Sequence, residues 1–295
     1  MPQAMIYQGH SDNVFAVAWS PDGQHIASGS RDTTVQVWNA ASGSCAYIFR
    51  GHASSLLSVA WSPDGQRIAS GSTDGKVLVW SAFTGEEILT YHGHTRFVRS
   101  LSWSPDGRYI VSGGDFGDST IQVWNAVTGQ ASYTRSQQYR NFAVSWSPDG
   151  SRIASGNFDG TAQVWDAATG RDIIIYRGHD GPIYALAWSP DGRSIVSGGQ
   201  DTTVKVWDIA TGETLCTYRG HSGVVKTVGW VGCAQNGSNI ASGGDDTTVQ
   251  VWDSQTGTLI STYHGHHKWV RSLNWSPTGS DIASASDHTV HVWHT

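Results

Sequence analysis

Fourteen of the fifteen tryptophans fall on a two-beat repeat. The first beat sits in the phrase Trp-Ser-Pro-Asp-Gly or a close variant, at Trp19, Trp61, Trp103, Trp146, Trp188, Trp230 and Trp275. The second closes each unit, at Trp38, Trp80, Trp124, Trp165, Trp207, Trp252 and Trp293. Successive steps are 41 to 45 residues. A fixed period of this length marks a stack of supersecondary units, each too small to bury its own apolar faces. Trp269 alone stands off the beat.

One unit reads as four short strands. Val14 to Ser20 is the first strand, and Ser20-Pro21-Asp22-Gly23 is a turn. Proline presets φ at the second turn position, and glycine tolerates a positive φ at the fourth. Ile26 to Ser30 is a second strand of small residues, and Arg31-Asp32-Thr33 a tight turn. Thr34 to Trp38, with β-branched Val35 and Val37, is a third strand, and Cys45 to Phe49 a fourth. We find no sustained apolar spacing of helical period. Four-stranded sheets arranged radially cover one another's faces and leave short edges. The expectation is an all-β, seven-bladed β-propeller of four-stranded antiparallel blades.

These motifs resemble the WD-repeat family over the whole chain. The resemblance rests on Gly-His at 9–10, 51–52, 93–94, 178–179, 220–221 and 265–266, and on Trp-Asp at 165–166, 207–208 and 252–253. Trp38-Asn39, Trp80-Ser81, Trp124-Asn125 and Trp293-His294 depart from the Trp-Asp ending. Repeats are expected at 9–50, 51–92, 93–135, 136–177, 178–219, 220–264 and 265–295 plus 1–8, within one domain over 1–295. The last unit stops after its third strand, and residues 1–8 look like an orphan fourth strand. The resemblance implies that this N-terminal strand completes blade seven.

Composition excludes several roles. A net charge of −6 does not recommend nucleic-acid binding, which needs a basic surface. No apolar run reaches the roughly 20 residues of a membrane span, and MPQAMIYQGH has no leader pattern. Cys45, Cys216 and Cys233 occupy unrelated repeat positions, the usage of reduced thiols in a cytoplasmic protein. We expect neither a cofactor nor a metal. His92 and His94, or His264, His266 and His267, lack a carboxylate or thiolate to complete a ligand set.

Six units contain His, Ser, Asp and Trp at recurring positions. They are His10, Ser28, Asp32, Trp38; His52, Ser70, Asp74, Trp80; His94, Ser112, Asp118, Trp124; His179, Ser197, Asp201, Trp207; His221, Ser242, Asp246, Trp252; and His266, Ser284, Asp287, Trp293. A hydrolase needs one such triad beside an oxyanion hole, not six copies. The resemblance implies a structural hydrogen-bond chain in each, running from Trp through Ser and His to Asp. Unit four reads Ser136-Gln137 at the Gly-His position, so the loop Arg135 to Arg140 is either degenerate or freed for binding.

The resemblance also implies that partners bind on the face formed by the inter-blade loops and the second-to-third strand turns. There the sequence places Phe15, Arg31, Phe97, Arg99, Phe116, Arg140, Phe142, Phe158, Tyr184, Lys226, Trp269 and Arg271. Aromatics and arginine dominate binding hot spots. The reading is a non-enzymatic scaffold, monomeric, for a protein or peptide with acidic or phosphorylated groups. The alternatives are a small-molecule or glycan binder at the channel mouth and an architectural repeat domain of a larger signalling protein.

Overall fold

The computed structural model describes residues 4–115, 117–231 and 239–295. They form 28 strands, with no helix among the described residues. The strands make seven antiparallel four-stranded sheets, six of them in plain sequence order. Blade one is Val14–Trp19, His25–Ser30, Val35–Asn39 and Cys45–Phe49. Blade seven takes Val270–Trp275, Asp281–Ser286 and Thr289–His294 from the end of the chain, and Met5–Tyr7 from its start. Met5 pairs with Val292 and Tyr7 with Val290.

The ring is closed. Each blade's first strand packs on the first strand of the next, and Val270–Trp275 packs on Val14–Trp19. Polar bonds cross these seams. Trp61 Nε1 donates to the Ala18 carbonyl at 3.1 Å, and the Trp19 amide to Asn274 Oδ1 at 2.9 Å. Small residues in the second strands make the close approach possible. A Cβ added at Gly71 would come within 2.8 Å of Val98 Cγ1 in the neighbouring blade.

The two tryptophan beats do different jobs. Trp38, Trp80, Trp124, Trp165, Trp207 and Trp252 are fully buried. An aromatic from the preceding blade's outer strand stacks on six of the closing tryptophans. The pairs are Tyr7 on Trp38, Phe49 on Trp80, Tyr91 on Trp124, Tyr176 on Trp207, Tyr218 on Trp252 and Tyr263 on Trp293, with centroids 4.3 to 4.8 Å apart. Each pair adds about 1 kcal/mol beyond its buried area. In blade four Arg135 takes the aromatic's place, its guanidinium 5.0 Å from the Trp165 ring.

Candidate functional site: the channel mouth

The channel is lined by the first strands, and one irregularity shapes its mouth. In every blade the pairing of first and second strands shifts register after the first residue. The skipped residues are Phe15, Leu57, Arg99, Phe142, Tyr184, Lys226 and Arg271. A β-bulge frees one residue from the ladder and re-aims its side chain. All seven border a cavity of about 340 Å³ in the channel, together with Asp245 and Trp269.

Neighbouring mouth residues pack cations against rings and ring against ring. The Arg99 guanidinium lies 5.7 Å from the Phe142 ring, and Phe142 lies 4.8 Å from Tyr184. Lys226 Nζ sits 3.9 Å from the Tyr184 ring and 3.7 Å from the Asp245 carboxylate. Arg271 lies 4.8 Å from Phe15 and 5.5 Å from Trp269. Burial lowers the pKa of Arg99, Lys226 and Arg271. Repulsion from Arg99 adds to the lowering at Lys226 and Arg271, while Asp245 opposes it at both. Three cations face one carboxylate in this cavity, and Asp245 Oδ1 is buried without a hydrogen-bond partner.

The remaining expected contact residues lie around this ring. Trp269 is 51% exposed. Arg140 lies 5.6 Å from the exposed Phe158 ring, which stands 6.1 Å from Phe142. Arg31 is exposed beside Asp12 at 3.7 Å. Phe97 is half-buried, and its carbonyl accepts from the Asp115 amide at 2.9 Å. Arg31, Phe97, Arg140 and Phe158 do not border the channel cavity. Phe116 lies outside the described residues. Sequence reasoning missed Asp115, a buried carboxylate 4.0 Å from Arg140 that also acts on Arg99. It holds the turn position that Arg31 holds in blade one: both amides donate to the loop facing them.

The repeated polar residues come together in the blades. Ser Oγ lies within 2.7 to 2.9 Å of His Nε2 in six units, at His10, His52, His94, His179, His221 and His266. His Nδ1 donates to Asp32, Asp74, Asp118, Asp201 and Asp246 at 2.7 to 3.3 Å. Trp38, Trp124, Trp207, Trp252 and Trp293 donate to their serines. The same aspartates accept the amide after the histidine, as Asp32 does from Ser11 at 3.1 Å. Burial alone would raise the Asp246 carboxyl, but His221 and Thr248 hold it down at about 2. The six serines are wholly buried.

Two tetrads are incomplete. In unit two the Trp80 Nε1 has no partner, so that tetrad ends at Ser70. In unit seven Asp287 does not reach His266, whose Nδ1 is buried and unpartnered. The physical reason is a turn one residue shorter. Asp287 follows Ser284 by three residues, whereas Asp32 follows Ser28 by four, and Asp287 adopts a positive φ of 53°. His266 stacks instead on His291, with centroids 4.2 Å apart. In unit four the preceding outer strand, Ala131–Ser136, makes different contacts to the blade. Arg135 donates to the Gly170 carbonyl at 3.0 Å and pairs with Asp172, and Trp165 donates to the Tyr133 hydroxyl at 3.1 Å.

Seven four-stranded sheets closed into a ring, braced by such chains and opening on a bulge-lined mouth, define a repeat-built β-propeller. Family comparisons agree. The IFT122 first β-propeller model matches residues 34–189, a little over half the chain. The WD domain, G-beta repeat, matches residues 2–39 and 257–294, and the anaphase-promoting complex subunit 4 WD40 domain matches 173–234. The chain belongs to the WD-repeat β-propeller family. Among individual proteins, a 38-residue stretch is 58% identical to the periodic tryptophan protein 2 homolog of Dictyostelium discoideum, covering 13% of this chain and 4% of that protein. A 43-residue stretch is 44% identical to the ribosome biogenesis protein BOP1 homologs of Drosophila virilis and Drosophila melanogaster, covering 15% of this chain and 6% of theirs. Each match is about one repeat long, a small fraction of the relative's length.

Proposed function

We propose that this propeller is a non-enzymatic, monomeric, cytoplasmic scaffold. It binds a protein or peptide bearing acidic or phosphorylated groups at the channel mouth. The observation that carries this reading is the ring of bulged residues, which gathers Arg99, Lys226 and Arg271 against Asp245 on a chain of net charge −6. An incoming anion relieves the mutual repulsion of these cations, and the rings beside them supply apolar area at low entropic cost. The unpaired Cys45 and Cys216 suit a reducing compartment. The matches to ribosome biogenesis proteins span single repeats, so they carry the repeat and not a partner.

The test is affinity capture from native lysate, together with titration by acidic, phosphorylated and neutral peptide pools. Wild type is compared with a Phe97→Ala, Arg99→Ala, Trp269→Ala variant. The variant should lose the captured species, and salt should weaken binding of the charged pools. Unchanged capture, or equal binding of the neutral pool, refutes the site.

A further inference from the structure

The face opposite the mouth carries the Ser-Pro-Asp-Gly turns, because each first strand runs from the mouth loop to that turn. On this face the protein builds a receptor for one of its own side chains. Between blades two and three the Arg67 guanidinium lies 4.8 Å from the Trp103 ring. Its Nη2 donates to the Gly107 carbonyl at 3.0 Å and stands 3.6 Å from the Asp64 carboxylate. Between blades four and five the pattern recurs. Arg152 lies 5.7 Å from the Trp188 ring and 3.5 Å from Asp149.

Between blades three and four the arginine is missing. Tyr109 holds its position, one residue before Ile110 as Arg67 is before Ile68. The rest of the receptor is present. Trp146 stands for Trp103, Gly150 for Gly107 and Asp106 for Asp64, and all three border a cavity of about 660 Å³ that Tyr109 and Tyr133 also line. Asp106 Oδ1 is occupied by Ser104 Oγ at 2.6 Å and the Arg108 amide at 3.0 Å. Its Oδ2 faces an exposed guanidinium, that of Arg108, at 3.9 Å, too far for a hydrogen bond.

We propose that this cavity receives an arginine side chain presented by a partner protein. The chemistry selects a guanidinium. It is planar, stacks on an indole, and forks to reach a carbonyl and a carboxylate at once. An ammonium is a compact, strongly hydrated point charge and matches this geometry less well. The three tyrosine and tryptophan rings supply the apolar walls, and Asp106 the complementary charge.

The test titrates the full chain, labelled with ¹⁵N, with acetyl-Gly-Arg-Gly-amide and with its citrulline and lysine counterparts. The Trp146 indole N–H is the reporter, assigned by its loss in Trp146→Phe, with calorimetry as a second readout. The arginine peptide should shift the reporter saturably, and the citrulline peptide should bind about tenfold more weakly or worse. Asp106→Asn, an exposed change that leaves the fold intact, should weaken binding roughly fivefold. Tyr109→Arg should fill the cavity from within, abolish binding and raise Tm. An Arg99→Ala, Trp269→Ala variant should bind the arginine peptide as wild type does, so this site stands or falls apart from the mouth. Equal binding of arginine and citrulline peptides, undiminished binding by folded Tyr109→Arg, or no saturable shift at about 20 mM peptide overturns the proposal. Preferential binding of the lysine peptide, or binding only after Arg108→Ala, overturns it too, the latter assigning the cavity to the chain's own guanidinium.

Discussion

Replacing His291 by Gln should make the protein resist mild acid. His291 occupies a position that is Gln36, Gln122 and Gln250 in blades one, three and six, where a tyrosine hydroxyl donates to the amide at 2.5 to 2.6 Å. In blade seven Tyr263 donates to His291 Nδ1 at 2.8 Å, and His291 Nε2 lies 3.1 Å from Thr289 Oγ1. Burial, helped by the nearby His267, lowers His291 to about 4. Burial lowers His266 to about 3, with His291 and His267 adding to it. Between pH 4 and the ordinary histidine value of about 6.5, the unfolded chain therefore binds a proton at His291 that the folded chain excludes. Stability must fall as pH drops through this window. For a shift from about 6.5 to about 4, the loss between pH 7 and pH 5 is about 2 kcal/mol from His291 alone. His291→Gln keeps an acceptor for Tyr263 and removes this loss. Urea unfolding at pH 7 and pH 5 measures it. At pH 7 the two proteins should agree within about 1 kcal/mol, and at pH 5 the variant should gain about 2 kcal/mol on wild type. Equal acid losses in the two proteins would show that the buried imidazole does not resist protonation.

Three further outcomes are expected. Asn141→Val should stabilise the protein by about 1 to 3 kcal/mol in thermal unfolding, since Asn141 is fully buried with both amide atoms unpaired and the matching residues include Val14, Val98, Val225 and Val270. Tyr7→Ala, which removes the ring stacked on Trp38 and its 2.6 Å bond to Gln36, should cost about 3 to 5 kcal/mol, and deletion of residues 1–8 should lower Tm further. A Lys226→Ala, Arg271→Ala variant should bind acidic peptide at least about tenfold more weakly at low salt, with the gap narrowing as salt rises.

The blades and their number were legible because the tryptophan beat and the Ser-Pro-Asp-Gly turns are local signals that repeat in phase. The strand that completes blade seven was legible from what the last unit lacked. Of the cavity lining, Phe15, Arg99, Phe142, Tyr184, Lys226, Trp269 and Arg271 stand at positions singled out in the sequence, whereas Arg31, Phe97, Arg140 and Phe158 lie off the cavity, and the bulge was not legible. A register slip lies in the pairing of two strands, and neither strand's own sequence alternation reveals it. Asp115 escaped notice because the longer turn of blade three obscures which residue matches Arg31. Asp287 misled for the opposite reason: an aspartate was present, but three residues after its serine instead of four. The short turn that displaces it also leaves His266 to stack on His291. The role of Arg135 was hidden because a guanidinium replaces an aromatic ring there, a substitution of chemistry within the same geometry.

The pairing of Met5–Tyr7 with Thr289–His294 has a consequence for how the molecule is made. Every other outer strand finds its neighbour within its own hairpin, soon after both are synthesised. This one must wait, unpaired, while six blades and most of a seventh take shape. Bringing residues some 280 positions apart together carries the largest loop-closure entropy of any pairing in the chain, and it is repaid only when the last seam forms. The strand that leads the propeller in synthesis is thus the last to dock. Until it does, the edge of Thr289–His294 and the free strand Met5–Tyr7 are exposed to any neighbouring chain that offers a strand of its own.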